Sequence, residues 1–276
     1  MANFVAMNKL IFQSFGSGSS GNCYYIGTYS RGILIDAGIS ARNIRQRLRT
    51  LGLDFENIWG IFVTHDHADH VRAVGTLGEK FHIPVYATHH VREGIERNPC
   101  VNPKPVNSYR PITKNTAVNV GDFQLIPFEV THDSNDCVGF HIHINNTAIT
   151  LATDIGTTND ELADFVRKSD MLIFESNFDD EMLERGPYSA YLKQRIKNGT
   201  GHLSNEKCSS FLSKNYHDKL KRIFLCHLSQ ENNRPELAYS TIGNKFELEH
   251  NLKIGKDIQI EVLPRREASK LFIIEQ

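Results

Sequence analysis

Several features are scarce in this sequence, and each absence narrows the classes of protein to consider. No run of about 18 apolar residues is present, so a membrane span is not expected. The N-terminal stretch "MANFVAMNKLIFQSF" has no charged region followed by an apolar block and a cleavage site, so we expect no secretory signal. The formal net charge is only −1. There is therefore no global basic field, and any contact with nucleic acid must come from a local patch.

Disulfide chemistry is equally unsupported. The 5 cysteines are odd in number, scattered, and form no Cys-x-x-Cys pair. We therefore expect reduced thiols and a cytoplasmic location. Histidine is abundant by contrast, with 13 residues, and this excess directs the search to metal ligands.

Strand-like apolar runs alternate with amphipathic stretches along the chain. Residues 40–52 are predicted as a helix with Ser40 as its N-cap. From about 117 to 153 the pattern is that of β-hairpins. Because no Pro/Gly-rich linker divides the sequence, we predict one α/β domain with mixed sheets over residues 1–276.

The segment "THDHADH" holds the densest group of candidate ligands and directly follows a predicted buried strand. Side chains at i and i+2 of an extended or turning backbone project alike, so His65 and His67 can share one metal ion. Asp69 and His70 then point elsewhere and suit a second ion. Imidazole and carboxylate ligands match zinc, manganese or iron. The alternative is a polar loop with capping aspartates.

Three further candidate ligands follow apolar runs elsewhere in the sequence. His132, Asp154 and His227 each come after a predicted strand. Open α/β sheets build their sites at such strand ends. Taken singly, each could be an ordinary polar residue at a strand end, but together with the cluster they complete two sets of ligands.

In this order and context, the motifs resemble those of the metallo-β-lactamase fold. The cluster at 64–70 resembles the second motif of that family, "LIDAG" around Asp36 resembles the first, and the three later residues match the third, fourth and fifth. The resemblance implies a four-layer αβ/βα sandwich of two mixed sheets with outer helices. Between Asp154 and His227 there is room for only a few elements, so we expect no β-CASP insertion.

The same resemblance implies two divalent metal ions, Zn²⁺ or Mn²⁺. Their ligands would be His65, His67 and His132 for the first ion, Asp69, His70 and His227 for the second, and Asp154 bridging both. Asp36 would order the cluster loop without binding metal. The ions would hold a bridging hydroxide as the nucleophile for hydrolysis, and Asp69 would orient it as a catalytic residue.

The residue at 154 helps to define the substrate. Lactam-cleaving members of the superfamily carry a cysteine or no ligand at this position. A bridging aspartate such as Asp154 is typical of phosphodiesterases and of glyoxalase II-like thioester hydrolases. The resemblance therefore favours these two classes over a lactamase.

The segment "GHLSN", with the basic stretch before it, favours a phosphodiester. We expect His202 to act catalytically, by binding phosphate or protonating a leaving oxygen. Ser204, Lys193 and Arg195 are candidate substrate contacts. The alternative for these three residues is a solvated helix face with a serine N-cap.

The stretch "FGSGSSGNCYYI" could present polar groups to a phosphate. Ser17, Ser19 and Asn22 are the candidate contacts. A tight hairpin between two strands would require the same glycines, so both interpretations stay open.

Together, "GSGSSGNCYYI", "LIDAGIS", "THDHADH", "ESNFD" and "GHLSN" are similar to the YycJ/WalJ group of this superfamily. That similarity implies a cytoplasmic metal-dependent nuclease, specifically a 5′→3′ DNA exonuclease linked to DNA repair, with nucleic acid as its partner and no membrane. One alternative is a small-molecule hydrolase of the same fold, acting on a cyclic phosphate or a thioester. A metal-dependent regulatory protein without enzymatic activity is another. The sequence carries no prediction of the oligomeric state.

Overall fold

The computed structural model describes residues 9–274. The stretch considered for a secretory signal lies partly outside the described residues. Two compact units divide the chain: the first runs to Asp122 and adds Ser134–Cys137 and the segment from Pro264, and the second comprises Phe123–Asp133 and Val138–Leu263. The single domain over residues 1–276 stays a prediction. Within residues 9–274, no helix has the length and apolar character needed to cross a membrane.

The first sheet is mixed. Its strands are β1 (Leu10–Gly16), β2 (Cys23–Gly27), β3 (Gly32–Ile35), β4 (Ile58–Phe62), β5 (Val85–Ala87), β6 (Tyr109–Pro111) and β14 (Phe272–Ile274). They are arranged in the order β14-β1-β2-β3-β4-β5-β6. The pairs from β14 to β3 are antiparallel, and those from β3 to β6 are parallel.

The second sheet is also mixed. Its strands are β7 (Val118–Val120), β8 (Phe123–Glu129), β9 (Val138–Ile144), β10 (Thr147–Ala152), β11 (Met171–Glu175), β12 (Arg222–Cys226) and β13 (Gln259–Val262). They are arranged in the order β13-β12-β11-β10-β9-β8-β7. The predicted hairpins are present at β8, β9 and β10, which pair antiparallel, while β10 to β13 run parallel.

Nine α-helices are present in the described part of the chain. They are α1 (Ala41–Thr50), α2 (Ala68–Val71), α3 (Val74–Phe81), α4 (His89–Arg97), α5 (Asp160–Val166), α6 (Asp180–Arg185), α7 (Ala190–Lys197), α8 (Asn205–Lys214) and α9 (Pro235–His250). Ser40 caps α1 by accepting a hydrogen bond from the amide of Asn43, so the predicted helix and its cap are confirmed. The α/β class with two mixed sheets is likewise confirmed.

The central parallel strands collect polar residues at one edge of the second sheet. Strands β10 and β11 are buried along their whole length, as continuous apolar runs predict. Because β10, β11 and β12 are parallel neighbours, the residues at their carboxyl ends lie side by side. Asp154, Glu175 and His227 occupy these ends. This topology places chemically active side chains together although they are distant in sequence.

In the first unit, the loop after β3 packs backbone to backbone against the segment 69–70. The amide of Ala37 donates to the carbonyl of His70 at 2.8 Å, and the amide of Asn22 donates to the carbonyl of Asp69 at 2.7 Å. A Cβ atom at Gly38 would overlap the carbonyl oxygen of Asp69. The loop therefore requires glycine at position 38 because of a close approach, and this packing fixes the cluster segment.

We predict that Gly38→Ala lowers the free energy of unfolding by about 1–3 kcal/mol, because the added methyl group forces two backbone segments apart. Urea unfolding measures this change. The matched control is Gly243→Ala within α9, where the nearest atom to an added Cβ is Cγ1 of Ile254 at 3.6 Å. Alanine there should be neutral or stabilising by up to about 1 kcal/mol. Equal effects of the two substitutions would contradict this account of Gly38.

Candidate active site

The first unit gathers the predicted cluster ligands in the segment that follows β4. The ring centroids of His65 and His67 are 4.7 Å apart, and those of His65 and His70 are 4.0 Å apart. Oδ2 of Asp69 lies 3.6 Å from Nε2 of His70. His65 and His70 are fully buried, whereas His67 and Asp69 are partly exposed. Three imidazoles and a carboxylate thus lie close together at one strand end.

Asp36 stabilises this cluster through hydrogen bonds to two of its neighbours, Thr64 and His70. Its side chain is fully buried, and its Oδ2 accepts hydrogen bonds from Nδ1 of His70 at 2.7 Å and from the hydroxyl of Thr64 at 2.9 Å. Its Oδ1 accepts from the Thr64 amide at 2.8 Å. Burial raises the pKa of Asp36, and His70 and Thr64 oppose that rise. With Nδ1 of His70 donating to Asp36, Nε2 carries the lone pair that can bind a metal ion.

In the second unit, Asp154 lies between two histidines. Its Oδ1 is 3.7 Å from Nε2 of His132, and its Oδ2 is 2.9 Å from Nδ1 of His227. The hydroxyl of Thr153 also donates to Oδ2 of Asp154 at 2.8 Å. Only 2% of the Asp154 surface is exposed, so its carboxylate interacts with neighbouring side chains and not with bulk water. Asp154 therefore turns one carboxylate oxygen toward each of two imidazoles.

Glu175 ends β11, a position from which the sequence indicates a supporting role near the site, and its contacts define that role. Its carboxylate is fully buried, and Oε2 accepts from the amides of Ile155 at 2.7 Å and Leu203 at 3.1 Å. Its Oε1 is 2.8 Å from Nδ1 of His202. The available signal was its position as the last residue of β11, between the strands that precede Asp154 and His227. The Glu175 carboxylate therefore links the backbone at Ile155 and Leu203 to the imidazole of His202.

His202 lies at the centre of the second-unit cluster. Its ring centroid is 5.3 Å from those of both His132 and His227. Burial lowers the pKa of His202, but the carboxylate of Glu175, followed by those of Asp154 and Asp133, outweighs it and raises the pKa to about 9. Since Nδ1 is bonded to Glu175, the proton on Nε2 is available to another partner. His202 is therefore equipped to donate a proton.

The chemistry of the donor atoms fits divalent metal ions. In the second unit, the donor atoms of Asp154, Glu175, His202 and His227 lie within 4.8 Å of one another. Imidazole nitrogen and carboxylate oxygen suit Zn²⁺ and Mn²⁺. Each of the two units thus contributes histidines and carboxylates of the type that a metal-dependent hydrolase requires.

Backbone strain is present at three of these positions. Asp36, Asp154 and His227 have φ angles of 60°, 56° and 53°, in the left-handed region. Each such residue costs about 1–3 kcal/mol, although aspartate tolerates this region better than most side chains. Each follows the end of a strand within two residues and turns its side chain into a cluster. The fold accepts this strain at two candidate ligands and at the residue that orients His70.

The predicted contacts in the glycine-rich segment differ from one another in environment. The hydroxyl of Ser17 is buried against that of Tyr24 at 2.9 Å, whereas Ser19 is exposed. Asn22 is buried, and its Nδ2 lies 2.9 Å from Nε2 of His70. Gly21 has a φ of 141° in the loop between β1 and β2, and its amide donates to the carbonyl of Gly18 at 2.8 Å, so this loop contains a turn. The substrate contacts stay a prediction.

The predicted contacts in and near α7 have partners within the second unit. Ser204 is buried and caps α8 through the amide of Lys207, so the N-cap interpretation is confirmed. Lys193 donates to the carbonyl of Glu184, and Nε of Arg195 donates to Oδ2 of Asp133 at 2.7 Å. Their roles in substrate binding stay predictions.

Comparison with known proteins agrees with this architecture. A model of the beta-lactamase superfamily domain matches residues 31–227. The chain is 32% identical to exodeoxyribonuclease YycJ of Bacillus anthracis, over 91% of this chain and 94% of that protein. It is 31% identical to exodeoxyribonuclease WalJ of Streptococcus pneumoniae, over 90% of this chain and 92% of that protein.

The same fold occurs in a solved structure, that of Zn²⁺-bound PqqB from Methylobacterium extorquens. The TM-score is 0.68 at 16% identity, with 94% of this chain and 99% of that chain covered. The chain therefore belongs to the metallo-β-lactamase superfamily of metal-dependent hydrolases, and within it to the family of the YycJ and WalJ exodeoxyribonucleases.

Proposed function

We propose that this protein is a cytoplasmic, dinuclear metal-dependent phosphodiesterase that degrades DNA as a 5′→3′ exonuclease in DNA repair. The observation that carries the proposal is the position of Asp154, with its two oxygens toward His132 and His227. A carboxylate in this position favours two metal ions and phosphodiester chemistry. The exodeoxyribonuclease names of the two relatives support DNA as the substrate.

The proposed metal ligands are those that the family resemblance implies. They are His65, His67 and His132 for one ion, Asp69, His70 and His227 for the other, and Asp154 for both. Bound ions would lower the pKa of a water molecule and neutralise charge on a phosphoryl oxygen. Ligation by His70 would replace its present contact with the amide of Asn22. Asp36 would keep the His70 ring oriented through Nδ1.

Two side chains handle protons in this proposal. Asp69, partly exposed, accepts a hydrogen bond from the attacking water and so orients it. His202 donates its Nε2 proton to the oxygen that leaves, while Glu175 holds Nδ1 and stabilises the charged imidazole. Because Glu175 also binds the amide of Leu203, the ring and its own backbone are fixed by one carboxylate.

We predict that Asp69→Ala abolishes DNA degradation and lowers the metal content from two ions to one per chain, since a ligand and the water-orienting group are both lost. Metal analysis of protein purified without chelators, followed by Mn²⁺ or Zn²⁺ add-back with labelled DNA, measures both effects. Asp160→Ala, at an exposed position in α5, is the control and should retain activity.

Two results would contradict the proposal. One is an Asp69→Ala protein that keeps both ions and its activity. The other is a wild-type protein that hydrolyses a thioester or a cyclic phosphate but leaves DNA intact, which would identify a small-molecule hydrolase.

A second prediction concerns the leaving group. His202→Gln should slow DNA hydrolysis by about 10²–10⁴-fold, because general acid catalysis is lost. The same variant should hydrolyse bis(p-nitrophenyl) phosphate almost normally, because nitrophenolate leaves without a proton. Glu175→Gln should show the same pattern with a smaller loss. Steady-state kcat values on both substrates test this.

The matched control for the leaving-group test is His143→Gln on β9, a half-buried histidine outside the cluster, which should affect neither substrate. Equal losses of His202→Gln activity on DNA and on the nitrophenyl ester would show that His202 is not a proton donor.

A further inference from the structure

A cavity of about 410 Å³ opens beside the candidate site, entirely within the second unit. Its lining includes Gly156, Leu203, Lys207, Phe211 and Lys214. Ligand pockets range from roughly 300 to 1,000 Å³, so this volume suits a small group of the size of one nucleotide. The sequence did not indicate this cavity, because its lining comes from separate segments.

Two of the chain segments that line the cavity also carry candidate catalytic groups. Gly156 comes two residues after Asp154, and Leu203 directly follows His202. Glu175 binds the amides of both segments, at Ile155 and at Leu203. The cavity wall and the candidate catalytic groups therefore belong to the same two chain segments, which Glu175 holds together.

One face of α8 supplies both charge and an aromatic ring. Lys207, Phe211 and Lys214 are spaced by four and three residues, which places them on the same side of the helix. Both lysine side chains are exposed, and within residues 9–274 neither forms an ion pair. Phe211 is only partly buried and stacks on Phe174 with a centroid distance of 5.7 Å. The cavity thus combines an apolar wall with an uncompensated cationic rim.

Two basic side chains of α7, unlike the two lysines of α8, are paired with carboxylates. Arg195 is paired with Asp133, and Lys197 is paired with Glu184. Their charge is largely compensated by neighbouring carboxylates, so they offer less attraction to a phosphate than the lysines of α8.

We propose that this cavity binds a nucleotide of the DNA strand adjacent to the scissile phosphodiester, with its base against Phe211 and the flanking phosphates at Lys207 and Lys214. The proposal rests on the proposed nuclease function and deepens it by naming a substrate subsite. Aromatic rings hold bases of single-stranded nucleic acid by stacking, and lysines along a groove attract the backbone. An apolar wall between two cations matches the alternation of base and phosphate in a single strand.

The test compares the double variant K207Q/K214Q with wild-type enzyme on a single-stranded oligonucleotide and on bis(p-nitrophenyl) phosphate. We expect KM for the oligonucleotide to rise about tenfold, with little change in kcat. The slope of log(kcat/KM) against log salt concentration should become shallower by about 1.4, since each lost phosphate contact removes about 0.7. The nitrophenyl ester has one phosphate and no flanking phosphate, so its hydrolysis should be unchanged.

The matched control removes the same charge elsewhere in the second unit. Lys253 and Lys256 are exposed and precede β13, at the opposite end of the parallel strands from His227. The double variant K253Q/K256Q should therefore leave KM near the wild-type value. A further variant, Phe211→Leu, should raise KM for the oligonucleotide about fivefold or more through lost stacking and spare the nitrophenyl ester.

Each remaining outcome is decisive. Equal KM increases in the two double variants, or none in either, would overturn the subsite while wild-type DNA degradation upholds the nuclease. Parallel loss on both substrates would show damage to the catalytic groups and would also overturn it. Failure of wild-type enzyme to degrade DNA would overturn the nuclease proposal and the subsite together.

Discussion

The buried carboxylate of Glu175 is the constraint on which the second-unit site depends. A charged group without solvent contact is tolerated only when hydrogen bonds satisfy it, and Glu175 accepts from two backbone amides and faces one imidazole nitrogen. Those amides belong to the segments that follow Asp154 and His202. One carboxylate thereby fixes the bridging ligand candidate, the proton donor candidate and the wall of the neighbouring cavity.

Asp36 has a corresponding role in the first unit. It is buried, it receives two hydrogen bonds from Thr64, and it orients the ring of His70. In both units, an acidic residue at a strand end is compensated by backbone or hydroxyl donors and in turn positions a histidine. The left-handed backbone at Asp36, Asp154 and His227 shows that accurate placement of these side chains outweighs local backbone preference.

Much of the fold and the candidate ligands could be predicted because their signals are local. Apolar runs marked β4, β10 and β12, Ser40 marked the start of α1, and ligand-type residues came soon after these strands. The contacts of Glu175 could not be predicted, because they depend on the parallel neighbours of β11, which bring distant amides to it. The cavity at α8 could not be predicted either, because separate chain segments line it. The basic residues of α7 made this segment the candidate for binding phosphate. Only the structure shows that carboxylates compensate the charges of Arg195 and Lys197.

The central claim is that these residues form a DNA exonuclease, and product analysis with end-labelled DNA tests it most directly. Metal-loaded enzyme is incubated with one oligonucleotide labelled at the 5′ end and with the same oligonucleotide labelled at the 3′ end. The account predicts immediate release of the 5′ label in a small product, and a ladder of steadily shorter fragments that keep the 3′ label. Intact oligonucleotides after full metal loading would contradict it.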